Sequence, residues 1–364
     1  MSVRRAPIGA PTLESAVSAL LAAHPGRSGV RLVPDGREAF AQRVRGARLA
    51  QRSLDVQTYI WRDDSTGRFI AHELLCAAER GIQLRVLLDD MDARPRQVAL
   101  EALDRHPNIA VRLFNPFRTR SGWLRTLAEV FQRGKRLNHR MHNKTWIADD
   151  LVAICGGRNI GNEYFAAADD INFIDLDVMM LGPAVDQAAA EFQRYWESPF
   201  AVPIDRLRRY SRQILHPQKL EARLQASAQE AANADYARAL EEDDPLHGLT
   251  GQTFVWSADV HVVADDPRKA LGEPTAEPSR VLDSMANEVK HTPGPWRVIR
   301  RAEMGDPVKP YATAQYMVAA GGGVFVPTVL GRAESGPGET LHTMPGSDAA
   351  NAHLIAAAPE LLNA

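Results

Sequence analysis

The sequence predicts an α/β fold: a mixed, largely parallel sheet flanked by helices that forms one lobe, followed by a small α+β module. Three observations carry the prediction. From residue 28 to 114, short β-branched segments alternate with segments whose apolar residues recur every three or four positions, the pattern of a sheet covered on both faces. Two of the strand segments, 82–88 and 151–155, are almost continuously apolar, as expected where neither face meets water. Near residue 290 the composition changes to Gly- and Ala-rich sequence with short strand-like pieces, so a different unit is expected over 291–364.

In order along the chain, residues 1–27 carry two arginines and no long apolar core, and are expected to be a flexible leader; 13–23 has the pattern of a short amphipathic helix. A strand is predicted over 28–34, a turn at Asp35-Gly36, and a helix over 38–52 with Phe40, Val44 and Ala47 on one face. The strand 53–61 is rich in β-branched and aromatic residues. The helix ending at Arg80 aligns Ile70, Leu74 and Ala78 and stops at Gly81. After strand 82–88, Asp89, Asp90 and Asp92 are read as a solvated loop at the sheet's edge rather than a metal site. A helix over 96–105 and a strand over 110–114 complete a third unit. The basic stretch 118–144 repeats Trp123, Leu127 and Phe131 at four-residue spacing, which suits a helix on an anionic membrane surface or one packed on the sheet. Beyond it come a strand over 172–181, a helix over 183–196 with Val185, Ala189, Phe192 and Trp196 inward, an Ala- and Arg-rich helical stretch over 203–240, and a strand over 256–264.

Charge and cysteine content exclude some classes. At 364 residues with 45% hydrophobic residues and a net charge of −2, the chain has a globular composition and lacks the overall basic balance of a nucleic-acid binder. Cys76 and Cys155 lie in apolar segments and read as small buried hydrophobes in a reducing compartment. No run of apolar residues is long enough to span a bilayer.

The chemistry concentrates in residues 141–160, MHNKTWIADDLVAICGGRNI. His142 and Lys144 are two apart on an extended segment and share a face. An imidazole beside a fixed ammonium suits attack on phosphorus: the ammonium holds phosphate oxygens, and the imidazole splits one displacement into two through a covalent intermediate. Asp149 completes the order H-x-K-x-x-x-x-D and is counted with His142 and Lys144 as catalytic, with the alternative role of tying the turn at Asp149-Asp150. Gly156-Gly157-Arg158-Asn159 fits a strand-to-helix corner whose backbone N–H groups meet an anion.

This segment resembles the HKD motif of the phospholipase D superfamily. Together with RLVPDGREAF at 31–40, SLDVQTYIW at 53–61, RLFNPF at 112–117 and GGRNIGNEYF at 156–165, it resembles the cardiolipin-synthase-C-like branch over about residues 28–285. The resemblance implies a phospholipase D-like lobe over 28–225 and phosphatidyl transfer through a phosphohistidine on His142. Lys144, Asn159 and Gly157 would bind the phosphate. An acidic residue, Asp175 or Asp177 with Asp177 preferred, would orient the imidazole. It implies no metal and no diffusible cofactor, a phosphatidylglycerol-type phospholipid substrate, and a cytoplasmic protein peripheral to the inner membrane of a bacterium; nucleic acid is not the expected partner. Members of the family need two such motifs. Of the eleven histidines only His142 is followed by Lys two residues on, so 226–290 reads as the start of a truncated second lobe and a linker. Three outcomes follow: a homodimer that completes the site, a homodimeric phosphodiesterase or nuclease, or an inactive remnant joined to an unrelated module. The tail, from HTPGPW at 291 to LIAAAPELL, resembles small phage-encoded proteins.

Overall fold

The computed structural model describes residues 12–93, 96–117, 140–210, 215–231, 240, 249, 254–264 and 266–271, together with four short strands between 313 and 332. Its main sheet has nine strands, β1 (Ser28–Val33), β2 (Ser53–Thr58), β3 (Gln83–Asp89), β4 (Ile109–Phe114), β5 (Thr145–Ala148), β6 (Val152–Gly156), β7 (Asp177–Leu181), β8 (Ala201–Pro203) and β9 (Val255–Ser257), in the order β8-β4-β3-β2-β5-β6-β7-β1-β9. The helices are α1 (Leu13–Ala23), α2 (Gly36–Leu49), α3 (Ser65–Glu79), the short α4 (Asp90–Ala93), α5 (Gln97–Leu103), α6 (Pro183–Trp196) and α7 (Pro217–Ala231).

The sheet is mixed and flanked by helices as expected, but parallel pairing is confined to β2-β3-β4. The pairs β2/β5, β5/β6, β6/β7, β1/β7, β1/β9 and β4/β8 are antiparallel. The reason is connection length. α3 and α5 supply the crossovers that parallel neighbours need, whereas β5 and β6 are joined by the tight turn Asp149-Asp150, both at positive φ (55° and 56°).

Alternation across the strands divides the core. Leu54, Val56, Val86, Trp146, Ile154 and Met179 face α2 and α3. Leu87, Phe114, Ile147, Ala153, Val178 and Met180 face α6, which presents Val185, Ala188 and Phe192. α6 starts at Pro183, where a missing N–H costs nothing.

Two expectations change. Residues 13–23 are not a loose leader: α1 is closed by a reciprocal Thr12–Ser15 capping box, buries Leu13 and Val17, and is followed by His24 stacked on Trp256 at 4.0 Å. The strand expected over 172–181 pairs only from Asp177 onward. Cys155 is buried as expected, whereas Cys76 is half-buried with its Sγ near the His72 ring. The strand Val260–Val263 pairs in parallel with Gly323–Pro327, itself antiparallel to Val318–Ala320. The basic stretch is described only from Arg140 onward, so the expected amphipathic helix over 118–139 lies outside the described residues.

Candidate active site

The site lies where residues 140–144 run into β5, at the carboxyl end of β2 and β3. Asp89, the last residue of β3, holds this segment. It is fully buried and accepts from the Met141 N–H (3.1 Å) and the Met91 N–H (2.9 Å), with the Arg140 guanidinium 3.3 Å away. Burial pushes its pKa up to about 6 against the opposing pull of Arg140. Asp90 is buried too and accepts from the Phe117 N–H at 2.8 Å, while Asp92 accepts from Trp61 and pairs with Arg62 and Arg96. The solvated loop expected here is therefore corrected: these carboxylates anchor backbone and guanidinium groups inside the fold.

With the segment fixed, Met141 turns into the α6 side of the core, and Lys144, 2% exposed, lies on the other face. The Lys144 ammonium donates to the His142 carbonyl oxygen at 2.7 Å and stands 5.8 Å from the Tyr59 ring. Tyr59 meets the His142 imidazole edge to face, centroids 4.5 Å apart. Tyr59, which strand periodicity does not single out, thus lies beside both the imidazole and the ammonium.

Asp149 lies at the opposite end of β5. Its carboxylate accepts from the N–H groups of Gln51 (2.8 Å), Arg52 (2.7 Å) and Ser53 (2.9 Å), which sets it in the turn and away from the imidazole. Its placement among the catalytic residues is corrected to the tying role.

Across the sheet, the Gly156 N–H donates to the Lys144 carbonyl at 3.3 Å, and Gly156 pairs with Asp177. A Cβ on Gly156 would come within 2.3 Å of Asp177 Oδ1, so only glycine allows β6 and β7 to close here. Asp177, with no exposed surface, pairs with Arg43 (2.9 Å) and Arg158 (3.5 Å). Arg158 also donates to the carbonyls of Val33 (2.8 Å), Tyr164 (3.2 Å), Pro34 and Asp175, pinning the ends of three segments. Asp175 is 8% exposed, and its pKa rises to about 7 through desolvation and the nearby Asp177, opposed by Arg158 and Lys144.

One expected phosphate contact changes, that of Gly157. The Gly157 N–H is committed to the Leu176 carbonyl at 3.1 Å rather than open to an anion. Asn159 Oδ1 accepts from the Ile60 N–H (3.0 Å) and Thr58 (3.4 Å), tying β2 to the corner after β6.

Half-buried His142 and buried Lys144 sit beside the end of a mixed sheet, within residues 45–196, which match a phospholipase D-like domain. The matching family model is that of the cardiolipin synthase, PLD-like domain. Cardiolipin synthase C of Escherichia coli K12 is 39% identical over 287 residues, covering 76% of this chain and 58% of that protein. The chain spans about half the length of the curated relatives it matches. Residues 285–364 match the family of Salmonella phage P22 protein Y8K6. Among solved structures, NucT from Helicobacter pylori superposes with a TM-score of 0.36 at 21% identity, over 48% of this chain and 98% of that one. Phosphatidylserine synthase of Haemophilus influenzae Rd KW20 gives 0.38 at 13% identity, over 60% and 48%.

Proposed function

We infer that the chain carries one half of a phospholipase D-type site that transfers a phosphatidyl group between alcohols, in the manner of a cardiolipin synthase. The observation that carries the reading is that the Lys144 ammonium and the His142 imidazole both stand against the Tyr59 ring, with the ammonium tied to the His142 backbone carbonyl. A ring nitrogen of His142 forms a bond to phosphorus as the bond to the leaving alkoxide breaks; an acid protonates that oxygen. The acceptor alcohol then reverses the sequence and frees the imidazole. Lys144 neutralises the non-bridging oxygens as their charge grows.

Asp175 is the better candidate to orient the imidazole. Asp177 is occupied by two guanidinium groups. The register that pairs Gly156 with Asp177, carried two residues outward, aligns His142, Arg158 and Asp175. One His-x-Lys pair lies in these 364 residues, and a second copy across a two-fold axis would bring a second imidazole to protonate the leaving oxygen. The substrate is a phosphatidylglycerol-type lipid, met at an anionic membrane surface; among the described residues no helix is long and apolar enough to cross a membrane. Residues 291–364 are a second unit by sequence, one strand of which, Gly323–Pro327, pairs with Val260–Val263.

The test is turnover of bis(p-nitrophenyl) phosphate, of phosphatidylglycerol vesicles and of DNA at several protein concentrations. Activity on the first two that rises faster than protein concentration and vanishes in His142→Ala is expected. Turnover of DNA but not lipid would replace the substrate. No turnover at any concentration, or an unaffected His142→Ala, would leave a folded relic.

A further inference from the structure

Behind Tyr59 lies a cavity of about 320 Å³ between α3, α5 and α7, at the lower end of the range of small-ligand pockets. Leu88, Leu100, Leu103, Leu220 and Leu224 form its apolar wall, beside charged residues that include Asp63, Asp89 and Arg223. The guanidinium groups around it are charge-compensated: Arg62 and Arg96 by Asp92 (3.2 and 2.8 Å), and Arg68 and Arg223 by Asp63 (3.3 and 2.6 Å). The cavity opens to solvent past Asp63 and Arg223, and its wall is more apolar than polar, so a hydrocarbon chain entering it would trade water for leucine side chains.

The cavity is also placed for the chemistry. Tyr59 forms part of its wall and packs against the His142 imidazole, ring centroids 4.5 Å apart, so the cavity and the imidazole lie on either side of one ring. A sugar or base would find compensated charges and no open row of donors; an alkyl chain would find leucines.

We propose that this cavity receives one hydrocarbon chain of the phosphodiester substrate and so selects lipid over other phosphodiesters. The proposal rests on the reading of His142 and Lys144 as a phosphoryl-transfer site. At the low end of the pocket range there is room for one chain, so a second chain of a diacyl lipid stays outside, in the bilayer. α7 is the cover: Arg223 and Ser227 hold it to the start of α3, through Asp63 and Arg68.

The experiment is calorimetric binding of butyl, hexyl and octyl phosphate, all as monomers, to the full chain and to two variants. Affinity is expected to rise about fourfold per added methylene, the factor that corresponds to about 0.8 kcal/mol for each buried CH₂. Ala99→Trp, which fills the cavity, should flatten the series. Leu224→Ala, which enlarges it, should move the end of the rise to a longer chain and keeps the test open if the tryptophan does not fold. Butyl phosphate binding with no gain along the series would overturn the chain site and leave the phosphate site standing. Failure to bind any alkyl phosphate would overturn both. An unchanged slope in Ala99→Trp, or an unchanged end point in Leu224→Ala, would place the hydrocarbon elsewhere and overturn the proposal.

Discussion

Replacing Asp149 by alanine removes the acceptor of three backbone N–H groups at once, those of Gln51, Arg52 and Ser53. The residue is 2% exposed, so water cannot simply take its place. Each N–H left without an acceptor costs about 1–3 kcal/mol, and bonds to a carboxylate lie in the upper part of that range. Residues 51 and 52 are exposed and regain part of the loss by local rearrangement, which leaves about 3–5 kcal/mol. Alanine also tolerates the φ of 55° poorly, for about another 1 kcal/mol. Asp149→Asn keeps Oδ1, which serves both Arg52 and Ser53, and suits positive φ, so its cost is about 1–2 kcal/mol. Urea titrations followed by circular dichroism measure both: the midpoint should fall steeply for alanine and slightly for asparagine at constant m. Phosphodiester turnover by the folded asparagine variant should stay near that of the parent. An alanine variant within about 1 kcal/mol of the parent, or a stable asparagine variant with no turnover, would refute the tying role.

Asp177→Asn should leave Arg43 and Arg158 buried against a neutral partner and cost about 3 kcal/mol or more, read from the same titration. Gly156→Ala forces β6 from β7, because its Cβ meets Asp177 Cα and the Leu176 carbonyl at 2.6 Å; a loss of about 1–3 kcal/mol is expected, and a neutral effect would contradict the register. Asp175, raised to about 7, keeps its proton in the folded chain where the unfolded chain has lost it. Stability should therefore fall as pH rises from about 4 to about 7, by a few kcal/mol at about 1.4 per pKa unit. Asp89 acts in the same direction, so the difference between the parent and Asp175→Asn at pH 5 and pH 8 isolates Asp175.

Much of this was legible in the chain. Alternation placed His142 and Lys144 on one face because a strand offers no other choice at a spacing of two, and helix periodicity found α2, α3 and α6. Direction of pairing was harder. A strand's composition does not record its neighbour's direction, and the parallel part is limited to β2-β3-β4 because only there does a helical crossover join strands that are neighbours in the sheet. Asp89 was misread for a related reason. A carboxylate after an apolar strand signals solvent unless something buries it, and its partners, Arg140 and the Met141 N–H, lie about fifty residues later. Tyr59 and Arg43 left no local signal at all, since each acts through a residue on a distant element. The Gly156-Gly157 pair suggests a strand-to-helix corner with open N–H groups, and the acceptor that closes it, the Leu176 carbonyl, lies on a separate segment.

Both flanks of the nine-stranded sheet end in three-residue strands, β8 and β9, and β8 terminates in Pro203, which has no N–H to offer. Such blunted margins discourage another chain from prolonging the hydrogen-bond ladder. Copies that associate would therefore do so face to face or end to end rather than by sheet extension, and an end-to-end meeting at the carboxyl termini of β2 and β3 would bring two imidazoles toward a shared phosphorus.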